Sequence, residues 1–174
     1  IFLIYIAAYA LYRLDINLKS KIKNYLSFGF IIVSLLFIVY KMIVFHPYQN
    51  IYFNNFFKKN AHEKFEIDYW GLSGKKFLED ILLLEKDKNI IKIGVAGYLP
   101  LERSIKLLDK GQRKKIKILG QDFQNADYIY SNSISEVDKN FNDKYQIPKN
   151  FTSIDKFVLN EVLLYEIFKK KWKY

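Results

Sequence analysis

Cysteine is absent from the 174 residues, and histidine occurs only twice. Without cysteine the chain has no disulfide framework, no thiolate zinc site and no cysteine nucleophile. The two histidines, His46 and His62, are too few for a histidine-rich metal cluster. We therefore expect this chain to use neither a metal nor a cofactor.

Charge of one sign does not dominate the chain locally, although the net charge is +10. A basic protein of this kind can bind nucleic acid. Residues 1–57 carry five Lys or Arg and one Asp, whereas residues 58–174 carry 23 basic and 17 acidic residues. Well-mixed charge is typical of a solvated surface. With the outward orientation derived below, this mixture predicts no nucleic-acid partner.

Apolar residues make up half of the chain, but they are unevenly placed. Residues 26–45 form an apolar run of twenty with Lys41 as its one charge. About 20 apolar residues are needed to cross the hydrocarbon core of a bilayer, and a lysine near one end can extend to the headgroups. A buried core helix is the alternative, but such a helix rarely runs this long without a polar face. We predict a membrane span.

A shorter apolar run, residues 1–12, begins with Ile rather than Met. We interpret it as the last turns of an earlier span in a longer protein, because a signal peptide carries its positive charge before its apolar run. The loop between the runs is short and basic, and such loops stay in the cytoplasm. Residues 1–45 are thus predicted to form a transmembrane helical hairpin of a multi-pass inner (plasma) membrane protein. The C-terminal domain would lie on the extracytoplasmic side, with the lipid bilayer as a partner.

Alternating helix and strand patterns follow. Residues 46–72 are predicted to be an interfacial connector and residues 73–174 an extracytoplasmic α/β domain. Ser73 is predicted to cap an amphipathic helix, and residues 101–110 a second helix that Gly111 ends. Three apolar runs and a pair of strands joined near residues 159–160 predict a largely parallel sheet with a C-terminal hairpin. The predicted fold class is membrane-anchored α/β.

The connector opens with the stretch HPYQNIYFNNF. Pro47 ends the helix before it, and rings such as Tyr48 and Tyr52 suit the membrane interface. Amides such as Asn54 can satisfy freed backbone groups or meet lipid phosphates. Two interpretations remain open: a structural collar, or a site in which His46 and the amides bind a lipid-linked phosphate.

This stretch, followed by FEIDYWGLS, resembles the C-terminal part of bacterial family 39-like membrane glycosyltransferases. These are related to dolichyl-phosphate-mannose–protein mannosyltransferases of the GT-C superfamily. The resemblance is strongest over residues 46–73. The matching residues are His46, Pro47, Tyr48, Tyr52, Phe53 and Asn54, then Asp68, Tyr69, Trp70, Gly71 and Ser73.

The resemblance implies sugar transfer from a polyprenyl-phosphate donor at the outer membrane face. That family's catalytic carboxylate lies in an early outer loop with no counterpart here, so we assign no catalytic residue and expect this piece to be inactive alone. Asp68 is predicted to be a hydrogen-bond acceptor that fixes the turn at Trp70, with Gly71 permitting the bend; sugar stacking by Trp70 is the alternative role. The candidate substrate-binding or interfacial residues are His46, Tyr48, Tyr52, Asn54, Asp68 and Trp70. A non-catalytic, membrane-anchored binding or scaffolding domain is the alternative function.

Overall fold

The computed structural model describes residues 9–10, 12–13, 21–51, 65, 67–98, 100–132 and 143–171. The chain divides into two compact units, Ile1–His46 and Pro47–Tyr174. Each unit has its own architecture.

The first unit contains helix α1 (Lys21–Val44). Within it, Tyr25–Val44 is the one helical segment among the described residues that is long and apolar enough to cross a membrane, and none of it is buried. The core helix of a soluble protein would be mostly buried, so this exposure favours a membrane segment. The first arm of the predicted hairpin falls almost wholly outside the described residues. A single apolar helix is therefore what the structure supports here.

The second unit is a five-stranded sheet with short helices. A 3₁₀ turn at Gln49–Ile51 precedes it. Its other elements are α2 (Ser73–Leu84), β1 (Ile91–Val95), α3 (Glu102–Ile105), α4 (Lys110–Lys114), β2 (Ile116–Gly120), β3 (Tyr128–Ser131), a 3₁₀ turn (Asp143–Tyr145), β4 (Phe151–Leu159) and β5 (Val162–Lys170). The five predicted strands are thus all present.

The strand order is β2-β1-β3-β5-β4. Strand β1 runs parallel to β2 and β3, whereas β5 is antiparallel to β3 and β4. The sheet is therefore mixed, and the prediction of a largely parallel sheet holds for only three strands. The sheet becomes mixed because the predicted hairpin joins it through β5, which pairs with β3 in the antiparallel direction. Within the hairpin, Asn160 and Glu161 form the turn, and both have positive φ. A two-residue turn of this conformation forces its flanking strands to be antiparallel.

Each face of the sheet is covered. Helix α2 lies on one face and buries Phe77, Leu78 and Ile81 completely. The ring of Phe77 meets the ring of Tyr130 edge-on at 4.7 Å between centroids. The opposite face is closed by a cluster made of Ala96, Phe123, Ala126, Ile129 and Phe151. The two layers give the domain a core on both sides of β3.

The predicted helix over residues 101–110 is wrong in extent. Helix α3 ends at Ile105, and α4 begins again at Lys110, so Gly111 lies inside a helix and does not end one. Asp109 explains the break, because it adopts an extended backbone and forms a capping box with Gln112. That local motif starts a new helix where apolar periodicity alone predicts a continuation.

Candidate functional site: the turn at residues 68–73

The turn that leads into α2 buries its charged residue and exposes its largest aromatic one. Asp68 is fully buried, whereas Trp70 is 73% and Tyr69 is 46% exposed. Aspartate is almost never fully buried without partners, and tryptophan is strongly buried on average. This inversion sets the turn apart from the rest of the surface, and we call it the 68–73 turn.

The backbone of the turn is held in a tight reversal. Asp68 and Gly71 both adopt the left-handed conformation, with φ of 58° and 66°. The Gly71 N–H donates to the Asp68 carbonyl at 2.8 Å, and the Gly74 N–H donates to the Gly71 carbonyl at 3.2 Å. Glycine adopts this conformation without strain, and aspartate tolerates it better than most residues do. The predicted role of Gly71 in the bend is confirmed.

The carboxylate of Asp68 organises the buried side of the turn. It accepts hydrogen bonds from the Ser73 N–H at 3.1 and 3.3 Å and from the Ser73 hydroxyl at 2.5 Å. The Ser73 oxygen also lies 3.0 Å from the Tyr130 hydroxyl. Since the Ser73 proton is directed at Asp68, the Tyr130 hydroxyl is left to donate. A chain of three polar side chains thus connects the turn to β3.

This chain of contacts corrects the predicted cap of α2. Ser73 is the first residue of the helix, and its own side chain does not cap it; the preceding Leu72 makes no side-chain cap bond either. Asp68, five residues upstream of Ser73, accepts the hydrogen bond from that first helical N–H. A carboxylate at a helix N-terminus also meets the positive end of the helix dipole. The predicted role of Asp68 as a hydrogen-bond acceptor in this turn is confirmed by these contacts.

Burial sets the electrostatics of the cluster. Desolvation raises the pKa of the Asp68 carboxyl, and the hydrogen bonds from Ser73 partly oppose that rise. Desolvation also raises the pKa of the Tyr130 hydroxyl, with the Asp68 charge as the second cause. A shifted pKa can mark a reactive group, but Asp68 has no exposed surface through which a substrate could reach it. The buried half of the turn is therefore structural.

Four of the predicted site residues belong to the stretch that begins at His46, and the structure describes two of them. Tyr48 is buried in the second unit, where its ring meets Phe157 edge-on at 5.4 Å. Burial first, and then the charge of Asp68, raises the pKa of Tyr48 to about 12. Tyr48 is therefore a core residue and does not face outward as an interfacial ring would. His46 is the exposed last residue of the first unit, while Tyr52 and Asn54 lie outside the described residues.

The exposed half of the turn consists of Tyr69 and Trp70, which we call the aromatic pair. Their rings meet edge-to-face, with centroids 5.4 Å apart and planes 84° apart. Such pairs add about 0.5–1.5 kcal/mol beyond area burial. Of the residues proposed from the sequence, Tyr48 and Asp68 come together inside the domain, and Trp70 lies on the exterior of the same turn.

A concave site lies at the carboxyl ends of β1 and β2, at the stretch GVAGYLP, whose sequence lacks the full glycine spacing and the lysine of a phosphate-binding loop. Ligands of open α/β sheets bind at such ends. The cleft has a volume of about 190 Å³, below the roughly 300–1,000 Å³ of typical ligand pockets. Its lining residues are Val95, Gly97, Tyr98, Pro100, Glu102, Gly120, Gln121 and Lys144. Among the described residues, no group of three acidic or histidine side chains could hold a metal ion.

No family model, no curated protein and no solved structure matches this chain. Its function must therefore be argued from the 68–73 turn, from the apolar helix and from the motif resemblance.

Proposed function

We propose that this chain is the C-terminal part of an integral-membrane glycosyltransferase that uses a polyprenyl-phosphate-linked sugar donor. The second unit would be its outer-face domain, inactive alone. One observation carries the proposal: the Asp-Tyr-Trp-Gly-Leu-Ser motif, which resembles the element of that family, folds as a closed unit in which Asp68 and Ser73 are bonded to each other. If this chain and that family share the motif because it builds the same turn, we expect them also to share the domain that the turn introduces.

The chemistry of the site supports a non-catalytic role for this part. The Asp68 carboxylate is hydrogen-bonded to Ser73 and is fully buried, so it is not available as a general base. The resemblance assigns the catalytic carboxylate to an outer loop upstream. The domain would then stabilise the outer end of the transferase and help to position its lipid-linked donor.

The finer membrane arrangement is part of the same proposal. The basic loop between the two apolar runs favours a cytoplasmic turn, so the chain would form a helical hairpin in the plasma membrane. Everything after α1 would emerge on the outer face.

Reciprocal reporter fusions after Tyr174 test this orientation. We expect a phosphatase that is active only outside the cytoplasm to be active, and a fluorescent protein that matures only inside to be dark. The reverse pattern would overturn the orientation and the transferase proposal with it. Transfer of labelled sugar from a polyprenyl-phosphate donor by membranes of the full-length parent tests the activity, and membranes that hold only this chain are the control.

A membrane-anchored binding domain without catalysis is the second candidate. The outward-facing aromatic pair favours it, because an exposed tryptophan on a held turn is typical of a binding surface. Parent membranes that fail to transfer sugar, although the chain is inserted and oriented as proposed, would decide for this candidate.

A further inference from the structure

We propose that the aromatic pair, Tyr69 and Trp70, is a membrane-interface contact that inserts at the headgroup level of a bilayer. The inference rests on the membrane-anchored part of the proposed function and not on sugar transfer.

The exposure pattern of the turn and the residues around it is the first argument. Phe65, Tyr69, Trp70 and Leu72 are all exposed, whereas the one carboxylate of the turn is turned inward. An outward Asp68 would repel lipid phosphates and would carry a large cost of dehydration. The surface of the turn instead presents apolar rings with a phenol hydroxyl and an indole N–H. Tyrosine and tryptophan are enriched at membrane interfaces because one end is apolar and the other wet.

The rigidity of the turn is the second argument. The backbone bonds at Gly71 and Gly74 and the carboxylate bonds at Ser73 hold the reversal from inside. The pair is therefore presented in one geometry, and little conformational entropy would be lost when it inserts. A turn built only to connect two elements would not need two large rings on its exposed side.

The chain also carries an apolar helix that would tether the domain to a bilayer. Helix α1 carries a bare apolar segment that ends at Val44, and 23 residues separate Val44 from Asp68. That length of chain can span at most about 80 Å, so the domain stays near any bilayer that α1 crosses. A sugar is a less suitable occupant. Saccharide recognition needs fixed polar groups beside the ring, and here the carboxylate of the turn itself is already bonded to Ser73.

Fluorescence from Trp70 gives the first test. The chain has two tryptophans, Trp70 and Trp172, so Trp172→Phe leaves Trp70 as the sole tryptophan, whose emission can be excited selectively over that of the tyrosines. We expect phospholipids brominated near the glycerol end of the acyl chain to quench it, with a blue-shifted emission and weakened quenching by acrylamide. Emission typical of water, unaffected by brominated lipid, would overturn the proposal. So would quenching that changes only with added sugar or with the protein-to-lipid ratio, because these would identify a saccharide or a second copy as the occupant.

Spin labels give an independent measure of depth, and the lack of native cysteine makes single labels clean. Labels would be placed by Leu72→Cys, an exposed position of the 68–73 turn that keeps both rings of the aromatic pair, by Ile38→Cys in the apolar segment of α1, and by Leu107→Cys. Leu107 is the matched control, since it is an apolar residue of the same domain that is 65% exposed and has no aromatic neighbour in sequence. We expect the label at position 38 to be deep, the label at 72 to lie at the interface and the label at 107 to remain aqueous.

The outcomes separate the two proposals. A deep label at 38 with an aqueous label at 72 would overturn the aromatic contact and leave the membrane anchor intact. Aqueous labels at both positions would overturn the anchor and the contact together. An interfacial label at 72 beside an aqueous one at 107 would establish the contact as specific to the 68–73 turn that carries the aromatic pair.

Discussion

Helix α2 has a carboxylate at each end, and the two carboxylates differ in burial and in hydrogen-bond partners. At the N-terminal end, Asp68 is fully buried and accepts hydrogen bonds from the backbone N–H and the hydroxyl of Ser73, both of which are neutral groups. At the C-terminal end, Glu85 remains partly exposed, accepts a hydrogen bond from the Tyr128 hydroxyl and pairs with the Lys169 ammonium at 3.0 Å.

The pKa shifts at the two ends run against the helix dipole. A dipole alone would lower the pKa of an acid at the N-terminus and raise it at the C-terminus. Instead, desolvation raises the pKa of Asp68, while the hydrogen bond from Tyr128 and the contact with Lys169 lower the pKa of Glu85. Burial is thus the leading cause of the shift at the N-terminal end, and a specific partner is the leading cause at the C-terminal end. The N-terminal carboxylate is buried within the domain, and the C-terminal one forms a partly exposed ion pair with Lys169.

Asp68→Ala should have the largest effect on this comparison. It leaves the N–H and hydroxyl of Ser73 buried without their acceptor, and we expect a loss of about 3 kcal/mol in the free energy of unfolding. The free energy of unfolding would be measured by urea denaturation of the chain in detergent, followed by the near-ultraviolet circular dichroism of the tyrosines.

Asp109→Ala is the matched control for that experiment. Asp109 is also a carboxylate that caps a helix, but it is exposed. We expect it to cost about 1 kcal/mol. Equal losses for the two variants would mean that burial does not distinguish the two caps.

Tyr130→Phe tests how far the buried network extends beyond the turn. It removes the hydroxyl that lies 3.0 Å from the Ser73 oxygen and keeps the ring against Phe77. We expect a loss of about 1 kcal/mol. The control is Tyr98→Phe, an exposed tyrosine whose hydroxyl loss should be near neutral. A null result for Tyr130 would confine the network to Asp68 and Ser73.

The pH dependence of stability should separate the two ends most finely. Asp68 has a raised pKa, so the stability it contributes is complete below its ordinary pKa and is lost as the pH rises through the raised one. Glu85 has a lowered pKa, so its contribution is complete above its ordinary pKa and is lost as the pH falls through the lowered one. We expect Asp68→Asn to remove the first loss and Glu85→Gln to remove the second.

Denaturation curves of the two variants and the parent chain across acidic to neutral pH provide the measurement. The stability differences from the parent should change with pH in opposite directions. Parallel changes would show that the carboxylates are in similar environments after all.

Much of the fold could be predicted from local patterns. Strands β1, β2 and β3 are short apolar runs, and the turn at Asn160 and Glu161 was placed within one residue by the polar break between two strand patterns. The helix over residues 101–110 could not be predicted correctly, because the capping box at Asp109 outweighs the apolar spacing. The mixed sheet also needed the pairing of β5 with β3, which no local pattern specifies.

The candidate site divides in the same way. The acceptor role of Asp68 in the turn at Trp70, with Gly71 permitting the bend, is predicted within the motif that carries the family resemblance. The contact of Asp68 with Ser73 as a helix cap joins residues only five positions apart. The link from Ser73 to Tyr130 joins residues that are 57 positions apart, and no local pattern specifies it. The burial of Tyr48 against Phe157 is another such long-range contact, and it moved a residue predicted for the interface into the core.

The sequence by itself determined the apolar segment of α1, the strands and the bend at Gly71, because these depend on composition and on the conformations that neighbouring residues allow. Tertiary structure alone decided that Asp68 is buried while Trp70 is exposed. That choice depends on which side of the turn faces β3, and the partners that make burial of a carboxylate tolerable come from Ser73 and, through it, from Tyr130.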